Sequence, residues 1–308
     1  MLECGFSQLI PGQTAKERCA HMIKGLIALD IDGTLTNDPR HIDPRVVSFL
    51  KDEIYANGWQ VMFLTGRSYT FGHKPLEVFD FPFYFGTQNG AALFKMPGKE
   101  VVKEHFLPRE ELCELEEIAN KQNQSFLVYS GEKLGDFCYY HGARYTEEEK
   151  AYLAELAQFS IVPWQDSGPF ETIEQGAFPM LKAFGSFEEM QALKTAVDRP
   201  SLACTLVHDP FRREQNGYYL LVNAANATKG AILKELAEID TKQEHVRPKI
   251  IAAGDDENDV SMFRVADVPI VMETAPKRLL THAKVIAKPA SELGIIDALK
   301  KACALAYA

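Results

Sequence analysis

The sequence predicts an α/β protein, a doubly wound, Rossmann-like parallel sheet interrupted by an inserted α+β domain. Three observations lead there. Short apolar runs alternate with helical stretches from about residue 25 to residue 85, the rhythm of βαβ units. That rhythm breaks between about residues 106 and 218 and then returns. And three apolar runs end in polar groups, at Asp30/Asp32, Thr65-Gly66 and Asp255 to Asp259. The carboxyl edge of an open parallel sheet is where such proteins bind ligands.

The first strand is Leu26-Ile27-Ala28-Leu29, apolar throughout as a strand buried on both faces must be. It ends in Asp30-Ile31-Asp32-Gly33-Thr34. Alternation points Asp30 and Asp32 the same way, and Gly33 permits a sharp turn. Asp43-Pro44 has the form of a helix N-cap followed by proline at the first helical position. Val46, Val47, Leu50 and Ile54 supply that helix with its apolar face, and Asn57-Gly58 ends it. Trp59–Leu64 is the second strand, stopping at Thr65-Gly66-Arg67-Ser68 before a helix running to Phe79. Phe83-Tyr84-Phe85 is the third. Asn89-Gly90 is a hairpin signal that sends the chain through Ala91–Phe94 and Pro97-Gly98 into Val101–Phe106.

From Pro108 the pattern is α+β. Helices are expected at Glu110–Gln122, Glu147–Phe159 and Phe187–Val197, with strands near Phe126–Tyr129, Phe137–His141, Met180–Gly185 and Cys204–His208. The βα rhythm is expected to resume at Tyr218–Val222. Asn226-Ala227-Thr228-Lys229-Gly230 then opens an amphipathic helix through Ile232, Leu233, Leu236 and Ile239. Lys249–Ala253 is a buried strand ending in Gly254-Asp255-Asp256-Glu257-Asn258-Asp259, with a helix from Val260. A last strand at Pro269–Met272, a basic segment and a helix over Glu292–Leu305 complete the core. The expected division is therefore a core from 1–105 and 219–308 around an insert at 106–218.

Bulk properties narrow the function. At 308 residues and 46% hydrophobic content the chain can bury two cores. A net charge of −10 argues against nucleic acid as a partner. No apolar run approaches the roughly 18 residues that span a bilayer, so no membrane partner is expected. Six scattered cysteines without CxxC pairs suit reduced thiols and a cytoplasmic location. Residues 1–21 lack the apolar core of a secretory signal. Met22 leads straight into the first strand and offers an alternative start, which would make 1–21 an extension with no assigned role.

Two carboxylates two positions apart repel unless a cation sits between them. The run Asp255 to Asp259 can be explained in part as helix capping, where the dipole favours acids, but that accounts for one or two of them. A hard, oxygen-seeking cation such as Mg²⁺ accounts for the set together with Asp30, the expected ligands being the Asp30 and Asp255 carboxylates and the Asp32 backbone carbonyl. Lys229 stands at the positive end of a helix, a disfavoured place unless carboxylate and phosphate charge gathers there. Thr65 and the Gly66 amide can donate hydrogen bonds to the same anion.

These segments resemble the haloacid dehalogenase (HAD) superfamily, whose four motifs stand in order here: Asp30-Ile31-Asp32-Gly33-Thr34, Thr65-Gly66-Arg67, Lys229-Gly230 and Gly254-Asp255-Asp256-Glu257-Asn258-Asp259. The place of the insert, between the second and third motifs, is similar to the C2-type cap of the Cof-like subfamily, and Asn89-Gly90-Ala91 is similar to that subfamily's hairpin before the cap. Met272-Glu273-Thr274-Ala275 departs from it, lacking the usual Asn-Ala. The resemblance implies a Mg²⁺-dependent phosphatase of small phosphorylated metabolites, with sugar phosphates as the expected substrates. In it Asp30 is the nucleophile that becomes an aspartyl phosphate, and Asp32 is the general acid and base. Thr65, Gly66, Lys229 and Asn258 bind the phosphoryl group, and Asp259 stands just outside the metal's own ligands. A phosphomutase on the same core and a non-catalytic phosphometabolite sensor are the alternatives. Substrate recognition is expected in the cap, with Tyr139-Tyr140-His141 and Phe211-Arg212-Arg213 as candidates. Oligomeric state is left open.

Overall fold

The computed structural model describes residues 24–308 apart from 159, 210 and 213–215. The amino-terminal extension, Cys4, Cys19 and Arg213 lie outside the described residues. In chain order the elements begin with β1 (Gly25–Asp30), α1 (Pro44–Phe49), β2 (Trp59–Leu64), α2 (Tyr69–His73), β3 (Phe83–Thr87), β4 (Ala92–Met96) and β5 (Glu100–Glu104). There follow β6 (Leu107–Pro108), α3 (Arg109–Lys121), β7 (Leu127–Tyr129), β8 (Cys138–Tyr140), α4 (Glu147–Ala157), β9 (Gln165–Asp166) and β10 (Ala177–Phe178). Next come β11 (Leu181–Ser186), α5 (Phe187–Val197), β12 (Leu202–His208) and β13 (Gly217–Ala224). The chain ends with α6 (Lys229–Glu244), β14 (Lys249–Gly254), α7 (Val260–Phe263), β15 (Val268–Met272), β16 (Val285–Ala287) and α8 (Gly294–Leu305).

Eight strands form the first sheet in the order β16-β15-β14-β1-β2-β3-β4-β5. The six from β16 to β3 are parallel, and β4 and β5 extend the edge as antiparallel hairpins. β1 lies at the centre between β14 and β2, so the two aspartate-bearing strands β1 and β14 are direct neighbours in register. Because successive side chains alternate, Ile27 and Leu29 pack one face against α1 and α8, through Val46, Phe49, Ile295 and Leu299. Leu26 and Ala28 pack the other against α6 and α7, through Ile232, Leu233, Leu236 and Met262. Helices on both faces make the sheet doubly wound, as the apolar runs predict.

The helix cap expected at Asp43 forms. Asp43 caps α1 by accepting from the Arg45 amide at 2.8 Å, with Pro44 opening the helix. Thr146 and Ser186 form capping boxes with Glu149 and Glu189 at the starts of α4 and α5. The helix expected to reach Phe79 is shorter, α2 passing into a single 3-10 turn at Lys74–Leu76. Four strands escaped sequence analysis: β6, β9 and β10, two residues each, and β16, three residues long, which pairs parallel to β15 inside the segment taken as basic.

The second sheet has the order β12-β13-β11-β7-β8-β9 and is antiparallel except for β8 and β9. Helices α3 and α5 cover one face through Leu112, Leu115, Met190 and Leu193, and α4 covers part of the other through Tyr152, Leu153 and Leu156. The strand expected at 218–222 to rejoin the parallel sheet belongs here instead, as β13, paired antiparallel with β11 and β12. Its run misled because it too is buried on both faces, Leu220 and Val222 toward α3 and α5, Tyr219 and Leu221 toward α4. Among the described residues no helix is long and apolar enough to cross a membrane.

Candidate active site

β1 and β14 end side by side, and their acids meet. Asp30 is almost fully buried at the end of β1. The Lys229 ammonium reaches it from the first turn of α6, with Nζ 2.5 Å from Asp30 Oδ1. The same Nζ lies 2.6 Å from Asp259 Oδ1. Thr228 sets the start of that helix, its hydroxyl accepting from the Ala231 amide at 3.1 Å. Asp259 in turn accepts from the Asp255 and Asp256 amides at 2.8 and 3.0 Å through Oδ2. Both oxygens of Asp259 are therefore engaged by the protein, whereas Asp30 and Asp255 face a cavity. One carboxylate oxygen from each of Asp30, Asp255 and Asp259 lies within 4.8 Å of the others.

Gly33 makes this approach possible. Its φ is +74°, and a Cβ built there would stand 2.1 Å from Asp255 Oδ2. Gly254 serves the second loop similarly, since a Cβ there would meet Asp259 Cγ at 2.4 Å.

Asp32 takes a different setting. Its side chain is 57% exposed and is held by Arg67, whose Nε donates to Oδ2 at 2.8 Å and whose second nitrogen engages Oδ1. Arg67 also donates to the Pro39 carbonyl at 2.7 Å and lies over the Phe71 ring. Sequence analysis named Arg67 only as part of a motif. An arginine three residues past a strand end carries no signal of which acid it grips, and the pairing with Asp32 becomes visible only in three dimensions.

Gly66 lines the cavity directly. Thr65 is fully buried, its hydroxyl accepting from the Arg67 amide at 3.1 Å. Asn258 lines the cavity and donates to Asn89 Oδ1 at 3.0 Å. Asn89, at φ +62°, donates to Asn223 Oδ1 at 3.3 Å. Asn223, from β13, donates to the Gln88 and Pro179 carbonyls at 3.0 and 2.9 Å. This chain of amides ties the second sheet to the loop bearing Asp255. Asn89 was noticed as a turn residue alone, and nothing in the sequence pairs it with Asn223.

Buried like charges define the electrostatics. Burial pushes the Asp30 carboxyl up to about 8; Lys229 opposes the rise, while Asp259 and Asp32 add to it. Burial also holds Asp255 well above the usual carboxylate range, with Asp30, Asp259 and Asp256 adding repulsion. Lys229 goes the other way: burial works against its charge, but Asp259 and Asp30 outweigh it and hold the ammonium. One lysine leaves this group of acids short of positive charge. The Thr34 hydroxyl nearby is buried with no protein partner among the described residues. Oxygen donors alone, close together and short of a counter-charge, suit a hard divalent cation.

The cavity over these groups has a volume of about 350 Å³, within the size of small-molecule sites. Its floor is Asp30, Asp32, Gly66, Asp255 and Asn258, and its roof comes from the second sheet. Lys229 stands behind the floor. Of the candidates for recognition, Phe211 lines the cavity. Tyr139 packs against Phe137 and Phe178, His141 bonds Glu116, and Arg212 lies 3.8 Å above the Tyr152 ring.

The model of the haloacid dehalogenase-like hydrolases matches residues 27–299. The 5-amino-6-(5-phospho-D-ribitylamino)uracil phosphatase of Bacillus subtilis is 25% identical over 289 residues, covering 87% of this chain and 94% of its own. A phosphoglycolate phosphatase of Natronomonas pharaonis is 24% identical over 278 residues, covering 90% and 96%. Among solved structures, a HAD-superfamily phosphatase of Bacteroides thetaiotaomicron superposes with a TM-score of 0.71 at 22% identity, over 96% of this chain and 98% of that one. With its motif residues gathered at one sheet edge and a family match across both sheets, the chain belongs to the haloacid dehalogenase-like hydrolases.

Proposed function

We propose that the protein is a Mg²⁺-dependent phosphatase of small phosphorylated metabolites, sugar phosphates among them, working through an aspartyl phosphate on Asp30. The observation that carries this reading is the Lys229 ammonium 2.5 Å from Asp30, inside a buried group of acids that opens on a roofed cavity. Relatives of similar length that bear phosphatase names support it. In this reading the second sheet with its helices acts as the cap, and the chain returns to the core after Ala224, where β13 ends.

In this reading Asp30 attacks phosphorus and releases the alcohol, splitting one displacement into two easier ones. Asp32 gives the departing oxygen its proton and later takes one from the hydrolytic water. Arg67 orients Asp32 at the cavity edge. Lys229 opposes the protonation that burial favours at Asp30, and the Gly66 amide, Thr65 and Asn258 orient the phosphoryl oxygens. Asp30, Asp255 and the Asp32 carbonyl would hold Mg²⁺, with Asp259 fixing the loop that carries Asp255; the ion supplies charge neutralisation at the phosphoryl oxygens. The cap excludes water and contacts the leaving group.

Inorganic phosphate release from a panel of phosphosugars and p-nitrophenyl phosphate is the direct test. Activity is expected with Mg²⁺, loss on EDTA treatment and recovery on adding Mg²⁺ back. Turnover that survives complete chelation rejects the metal, and no turnover on any member rejects the phosphatase.

Gly33→Ala tests the packing of the site. The added methyl group has to displace the Asp255 carboxylate, so Mg²⁺ affinity is expected to fall about tenfold or more. Calorimetric titration with Mg²⁺ reads this directly, and unchanged affinity would remove Asp255 from the ligand set.

A further inference from the structure

The roof of the cavity contains a cation that the reaction above does not use. Lys182 is the second residue of β11, between Leu127 of β7 and Leu221 of β13. Alternation along β11 puts Met180, Lys182 and Phe184 on the face turned toward α4 and the cavity. Lys182 is only 8% exposed, yet it lines the cavity together with Tyr129, Met180, Tyr219 and Leu221. Among the described residues its ammonium has no hydrogen bond and no ion pair. Its nearest company is aromatic, with Nζ 4.5 Å from the Tyr219 ring centre and 5.5 Å from that of Tyr129.

A lysine is seldom buried without a partner, because losing its hydration is costly. Cation–π contact with two tyrosines repays part of that cost. Two groups act on its charge from outside, the buried Cys138 thiol and Asp209, and the Asp209 carboxylate is occupied by the Tyr152 hydroxyl at 2.5 Å and the Phe211 amide at 2.9 Å. Burial accordingly presses the Lys182 ammonium below its usual range. A cation in this state is set to gain from an anion arriving through the cavity.

We propose that Lys182 is a specificity residue that receives a second anionic group, a carboxylate or a second phosphate, at the end of the substrate away from the phosphate being cleaved. The inference rests on the phosphatase reading. The floor, with Asp30, Asp255 and Gly66, takes the scissile phosphate. Lys182 is on the opposite wall, and the aromatic rings around it contact the body of the substrate. A charge-assisted bond made in such a site and absent in the neutral analogue discriminates by about ten- to a hundredfold.

Two matched pairs test this and separate the two anions. Glucose 6-phosphate against 6-phosphogluconate adds a carboxylate, and fructose 6-phosphate against fructose 1,6-bisphosphate adds a phosphate. The wild-type protein is expected to favour the doubly anionic member of at least one pair by about tenfold or more in kcat/KM, chiefly through KM. Lys182→Met, close in volume, is expected to abolish that preference while leaving p-nitrophenyl phosphate turnover within about twofold. Equal or reversed preference in the wild type overturns the proposal. So does a Lys182→Met variant that keeps the preference, or one that slows every substrate alike, as a purely structural lysine or a contact to the scissile phosphate would. Wild-type turnover of p-nitrophenyl phosphate without either preference rejects the Lys182 role alone. Absence of all turnover rejects the phosphatase reading, and the Lys182 role with it.

Discussion

Asp30→Asn is expected to give a folded protein whose phosphate release falls by at least about 10⁴-fold, the scale seen when a nucleophile is removed from a site that otherwise keeps its binding groups. The amide is nearly the shape of the carboxylate, and its oxygen can still accept from Lys229 Nζ, which sits 2.5 Å from the native one. What it cannot do is attack phosphorus as an anion and hold the phosphoryl group between the two half-reactions. Stability should move the other way. Burial and the neighbouring acids already push Asp30 up to about 8, so the native carboxylate is a strained feature of the metal-free fold. Replacing it with a neutral amide removes that strain. In EDTA the variant should therefore melt no lower than the wild type, and calorimetry of the two proteins side by side checks it. A variant that unfolds easily would mean that activity was lost through collapse of the fold. A well-folded variant that still turns over would remove Asp30 from the chemistry altogether.

How much of this was legible in the sequence depends on the range of the interaction. Strands β1, β2 and β14 announce themselves because a parallel strand buried on both faces must be apolar along its length, and their polar ends mark the functional edge. The cap at Asp43 was legible because the bond it makes spans only two residues. The same logic failed for β13. Burial on both faces looks alike whether the strand lies in a parallel core or in an antiparallel cap, and only the pairing partners distinguish them. β16 was missed because three residues give no periodicity to read.

Within the site, the residues that carry formal charge at strand and helix ends were visible. Their partners were not. Arg67 on Asp32 spans 35 residues, and Asn89 on Asn223 spans 134. Lys182 is the sharpest case. In sequence it sits in Leu181-Lys182-Ala183, an ordinary alternation in which the lysine would face solvent. The structure turns that face toward a cavity, so a residue that pattern alone assigns to the surface becomes a buried cation.

Lys229→Met should be the most destabilising single change at the site. The side chain is fully buried and bonds two carboxylates, Asp30 at 2.5 Å and Asp259 at 2.6 Å. Without it three acids whose oxygens lie within 4.8 Å of one another have no lysine among them. Breaking a buried pair from one side leaves charge uncompensated and typically costs about 3–5 kcal/mol. For a chain of this size that corresponds to a fall in Tm of roughly 10 °C. The acids can relieve part of the repulsion by taking up protons, so the loss should shrink at low pH, where they are neutral in any case. A divalent cation supplies the same missing charge from the cavity side, so Mg²⁺ is expected to raise the Tm of the variant more than that of the wild type. Activity should not return with stability. The ion replaces the countercharge but cannot restore the ammonium behind Asp30, and kcat is expected to stay down by about a hundredfold or more. Adding Asp259→Asn to Lys229→Met removes one of the orphaned charges, and the double variant should melt higher than Lys229→Met alone. Thermal melts of the three proteins with and without Mg²⁺ decide the matter. If Lys229→Met melts within a degree or two of the wild type in EDTA, the acids are not held together by this lysine, and the electrostatic account of the site is wrong.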